Sequence, residues 1–138
     1  REDEACHLEA VIRVHATKPY REVGVAYEIV NPEAIAVTRI HPKTSGIYIE
    51  GTEQPQRVAL RFDNIDRILA GGDYAVNIDL MHRNDRLLHA PGVLRFSLVG
   101  IDPFGNGTII SSRAHGPVIL CPTWQVAPAS DSPQATSE

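Results

Sequence analysis

Three runs between Arg57 and Val99 alternate apolar and polar residues with a period of two. Val58, Leu60 and Phe62 share one side, against Arg57, Ala59 and Arg61. Tyr74, Val76, Ile78 and Leu80 oppose Ala75, Asn77, Asp79 and Met81. Leu94, Phe96 and Leu98 oppose Val93, Arg95 and Ser97. A two-residue period belongs to a strand with one face buried and one open. Gly, Asp, Asn and Pro clusters separate the runs, which predicts antiparallel pairing rather than a parallel sheet.

The rest of the chain adds shorter pieces of the same kind. Leu8 to Ala16 reads as a first strand, with Ala10, Ile12 and Val14 on one side. Val23 to Val30 is a second, with Val23, Val25, Tyr27 and Ile29 together. Ala34 to Ile40 is a third, whose small apolar residues leave its in/out phase open. Pro42 to Gly46 reads as a loop and Ile47 to Glu50 as a short strand. Asp63 to Gly72 holds at most one helical turn. Tyr74, after two glycines, resembles the corner tyrosine of immunoglobulin-like sandwiches, whose hydroxyl bonds to nearby backbone. Residues 83–92 read as a loop, and Thr108–Ile110 and Val118–Val126 as further strand candidates. The expected organisation is a linker end at 1–7, a sandwich at 8–126 and a disordered tail at 127–138. The fold class is all-β: an immunoglobulin-like antiparallel β-sandwich of about eight or nine strands.

Composition narrows the function by exclusion. The net charge is −4, which removes the electrostatic case for nucleic acid. Eleven of the 13 basic residues are Arg, which supplies planar forked donors suited to carboxylates, phosphates and sugar hydroxyls; a GC-rich genome gives the same bias. Two cysteines, Cys6 and Cys121, make no disulfide framework and point to a reducing compartment. No apolar run reaches the length of a membrane helix, and no signal peptide opens the chain. An Arg at position 1 points to a fragment of something larger.

No catalytic constellation appears: there is no nucleophile elbow, no P-loop and no HExxH. No cofactor is implied. His82 and His89 bracket one loop, but two His without a third ligand at recognised spacing do not define a zinc site. The open sides of the alternating strands are more informative. Asn77 and Asp79 project from one and Arg95 from another, placing an amide, a carboxylate and a guanidinium side by side if the strands pair. Sugars are recognised by such planar polar groups together with an aromatic ring, for which Tyr48 is the candidate. Arg39 is a further candidate, depending on its strand's phase. An ordinary wetted sheet face with cross-strand charge pairs carries the same mixture.

The ordered set VAYEI at 25–29, GIYIEGT at 46–52, ILAGGDYAVNIDL at 68–80, LRFSLV at 94–99 and GPVILCPTW at 116–124 resembles one family. It is the C-terminal, carbohydrate-recognising domain of the ATP-binding subunit of O-antigen polysaccharide ABC exporters, the Wzt type. The family usually carries a Gly-Glu pair ahead of its early strand, where this chain has Arg21-Glu22-Val23-Gly24.

The resemblance implies a non-enzymatic domain that binds the non-reducing terminus, or cap, of a finished polysaccharide and couples chain completion to export. It implies a cytoplasmic place at the inner face of the bacterial inner membrane, with the ATPase, and through it the transmembrane permease, contributed by another part of the protein. It further implies a homodimer that exchanges the last strand, for which Val118, Leu120 and Trp124 are the candidate contacts. Tyr48, Asn77, Asp79, Arg95 and Arg39 are the expected carbohydrate-binding residues. The alternative from a different class is an immunoglobulin-like protein-interaction or spacer module that binds through a sheet edge.

Overall fold

The computed structural model describes residues 6–129. Seven strands and three single helical turns follow in order: β1 (His7–Val14), β2 (Tyr20–Val30), β3 (Ala36–Ile40), α1 (Pro42–Ser45), β4 (Tyr48–Gly51), β5 (Gln56–Asp63), α2 (Ile65–Ile68), β6 (Gly72–His82), β7 (Asp85–Leu98) and α3 (Ser112–His115). All pairings between these strands are antiparallel. One sheet is the β1–β5 ribbon. The other has the order β3-β2-β6-β7, with β4 also pairing β2. β3 lies along Tyr27–Val30 and β4 along Tyr20–Gly24, so they share one edge of β2.

The expected all-β antiparallel sandwich is therefore what forms, with unequal sheets. A two-stranded ribbon is marginal by itself in water. Here Leu8, Ile12, Val14, Leu60 and Phe62 pack it onto a core of Val23, Val25, Ile29, Tyr74, Val76, Ile78 and Leu80. Phe62 meets Tyr27 edge to face, with ring centroids 5.5 Å apart. Every one of these residues belongs to the apolar side of its period-two run. The opposite sides of β2, β6 and β7 form one open face.

Several expectations need correction. β7 starts at Asp85, so residues 85–92 are strand and not loop. The two-residue turn Arg83-Asn84 closes a tight hairpin, and the ladder runs on from it against β6. Thr108–Ile110 forms no strand, and Val118–Val126 contributes one isolated bridge, Leu69 to Val118. The described strand count is accordingly seven. Pro42–Ser45 is a helical turn rather than a loop, opened by Pro42 and closed by Gly46 in the left-handed region. His7 already belongs to β1, and the rest of the linker end expected at 1–7 lies mostly outside the described residues. The tail expected at 127–138 lies mostly outside the described residues.

The corner tyrosine forms as its position suggests. The Tyr74 hydroxyl donates to the Ala70 carbonyl at 2.6 Å, in the buried interior. Burial pushes its pKa up, against a smaller lowering from Ser112. Tyr74→Phe leaves a buried carbonyl without its donor, so it is expected to cost about 1–3 kcal/mol. Urea unfolding should show this as a lower midpoint at unchanged slope.

Candidate functional site

β2 and β6 build the centre of the open face. Their register sets Glu28 beside Asn77 and Ala26 beside Asp79, while β3 brings Arg39 opposite Glu28. Glu28 is the hub. One of its oxygens accepts from the Asn77 amide at 3.0 Å; the other accepts from Arg39 Nε at 2.9 Å and also lies 2.9 Å from Arg39 Nη2. The Asn77 carbonyl in turn accepts the Gly92 backbone N–H at 2.8 Å.

That last bond depends on a bulge. Val76 pairs Leu94 and Ile78 pairs Ala90, so Pro91, Gly92 and Val93 face Asn77 alone. Gly92 holds a positive φ of 61°, which suits glycine at such a bulge.

Asp79 is the second anchor. One oxygen lies 2.5 Å from His89 Nδ1 and the other 3.6 Å from Arg86 Nη2. These groups line a groove of about 270 Å³, with His41 at its rim. Each carboxylate is thus oriented by cationic or amide partners and still reaches solvent, as are the outer edges of Arg39 and Arg86. Such a groove offers fixed acceptors and forked donors to a ligand with many hydroxyls. Among the described residues no Ser, Thr or Cys lines it beside the Asp79–His89 pair.

The structure brings Arg39, Asn77 and Asp79 into this one groove. Tyr48 is on the same face but farther along, in register with Gly24. A Cβ on Gly24 would come within 2.5 Å of Pro42, so the chain there needs glycine to let α1 and Tyr48 lie down on the sheet. From Gly24 to Glu28 is four residues, roughly 13 Å of strand. Arg95 lies toward the opposite end, over Gly92 and in a separate depression with Asp73 and Ser97. Ser97 donates to Asp73 at 2.5 Å.

Alternation alone does not single out Glu28, and it gives His89 only as a weak metal-ligand candidate beside His82. Glu28 was readable, since the apolar phase Val25, Tyr27, Ile29 sends it to the open side. His82 and His89 do not share a site: His82 packs edge-on against Tyr20 while His89 bonds Asp79. Among the described residues no group of three His, Cys, Asp or Glu is placed to hold a metal. No described helix is long and apolar enough to cross a membrane.

The Glu28 carboxyl is held below its ordinary value of 4.5, first by the Asn77 hydrogen bond and then by Arg39, against the opposing effect of burial. A depressed folded pKa contributes stability that is present above the unfolded value and lost as pH falls through the folded one. Glu28→Gln should therefore flatten the acid limb of the stability profile below about pH 4.5 and leave its neutral shape unchanged, read by urea melts across pH.

Fold and site together define an antiparallel β-sandwich with a polar groove on the open face of its larger sheet. Among solved structures, the chain is similar to the C-terminal domain of Wzt, with a TM-score of 0.48 and 10% identity over 78% of this chain and 67% of that one. No family model matches the sequence, and no curated protein matches it.

Proposed function

We propose that this domain recognises the non-reducing terminus of an O-antigen-type polysaccharide without chemistry, and so couples chain completion to export through an ABC transporter. The observation that carries the reading is the groove around Glu28, Arg39, Asn77, Asp79 and His89. Its carboxylates are held by neighbouring donors yet keep open lone pairs, the arrangement that pairs with adjacent sugar hydroxyls. The ordered sequence resemblance supplies the biological setting: a cytoplasmic position beside the inner membrane, with an ATPase elsewhere in the protein linking it to a permease. Tyr48 supplies an aromatic ring at one end of the face, and Arg95 a guanidinium at the other.

The same reading makes the domain a homodimer joined through its last segment. Gly116 to Ile119 is tied to the body, with Ala70 donating to Pro117 and Ile119 donating to Ile68. Beyond it, Leu120, Trp124 and Val126 stand exposed, with no cover among the described residues.

Calorimetric titration with the polysaccharide of the source strain tests the reading. Saturable binding is expected. A chain that binds no polysaccharide but captures protein along a sheet edge would replace it with the interaction-module alternative.

A further inference from the structure

At the β4 end of the open face lies a larger basin, of about 620 Å³, beside Tyr48 and sharing His41 with the groove. Its charged lining is Arg21, Lys43 and Arg83 against the one carboxylate of Glu22. This is a cationic spot on a chain whose net charge is −4. Among the described residues, Arg39, Arg61 and Arg86 each sit on a carboxylate, whereas Arg21, Lys43 and Arg83 have no salt-bridge partner.

The backbone gives a second, independent observation. Glu22 and Arg83 hold left-handed conformations, with φ of 54° and 58°. Both line this basin. Glu22 lies where the β2–β4 register shifts between Tyr20 and Val23, an irregularity that re-aims side chains. Arg83 occupies the first position of the two-residue hairpin turn between His82 and Asp85, where glycine is the unstrained choice. Strain kept at two charged positions around one cavity points to a role for those side chains rather than for the turns.

We propose that this basin is a subsite for an anionic substituent, a carboxylate or a phosphate monoester, carried by the bound sugar. Arg21 and Arg83 supply forked donors and Lys43 a point charge, with Tyr48 beside them for the ring. Glu22 opposes the anion and limits its affinity. The inference rests on the glycan reading and adds a substrate class to it.

The test uses three sugar probes and one ion, followed by NMR titration of the chain: methyl glucoside, glucuronate, glucose 6-phosphate and inorganic phosphate. Glucuronate or glucose 6-phosphate should bind at least about tenfold tighter than methyl glucoside, with the preference shrinking as salt is raised. Which of the two binds tighter separates carboxylate from phosphate, and inorganic phosphate should compete with it. Arg83→Gly should hold or raise the melting temperature, because glycine suits that backbone, while lowering affinity for the charged sugar at least about tenfold. Glu22→Gly should likewise fold well and bind the charged sugar more tightly. Methyl glucoside bound as well as the charged sugars, or charged-sugar affinity unmoved by Arg83→Gly together with Lys43→Gln, overturns the subsite and leaves the glycan reading standing. Failure of every sugar and of the polysaccharide to bind overturns both.

Discussion

Asp79→Ala is expected to lower affinity for the polysaccharide by roughly ten- to a hundredfold, the loss that goes with removing a charged hydrogen-bonding partner. The effect is large because Asp79 does two things. It presents acceptors to the groove, and it fixes His89 at 2.5 Å and Arg86 at 3.6 Å on the neighbouring strand. Removing it frees both side chains to reorient. The fold should survive, since the Asp79 side chain is 24% exposed and is not a member of the hydrophobic core. Calorimetry reads the affinity and a melting curve confirms the fold. Full affinity in a folded Asp79→Ala, Asn77→Ala chain would remove this face from the account.

The second large effect concerns the last described segment. Leu120 is 81% exposed and Trp124 is 74% exposed, well outside the range of core side chains. Side chains of this size each gain about 1.5–3 kcal/mol on full burial. If they are buried against a partner copy, Leu120→Ser with Trp124→Ser should weaken self-association by on the order of a hundredfold or more. Sedimentation equilibrium would show the dimer becoming a monomer, while the melting temperature of the monomer stays put. A chain that is already monomeric, or a double variant that stays dimeric, would refute the exchange.

Much of the sandwich was legible because its core strands obey the simplest rule. β5 alternates half-buried and exposed residues over its whole length, and β6 keeps Tyr74, Val76, Ile78 and Leu80 inside. What escaped has identifiable causes. The first half of β7 reads Arg86-Leu87-Leu88-His89-Ala90, where both leucines are exposed and no period shows. Its strand state comes from the hairpin ladder, a tertiary fact, and the turn hides its signal by placing Arg83 where glycine is usual. With it goes the placement of His89 beside Asp79.

Arg39 could not be phased from Ala34-Ile35-Ala36-Val37, which is apolar on both sides; its pairing with Glu28 settles the matter. Placing Asn77, Asp79 and Arg95 on one face needed only alternation. Arg95 pairs Ala75 and leans over Gly92, a side-chain direction that alternation does not reveal. Val118 to Val126 reads as strand by composition, yet a strand needs a neighbour to complete its ladder, and the described residues offer it only the bridge at Leu69.

The central claim is recognition of a chain end. The most direct measurement is a titration with the source strain's polysaccharide, intact and with its non-reducing end removed. The account predicts saturable binding to the intact chain and none to the trimmed one. Equal binding to both would contradict it and make the groove a reader of internal sugars.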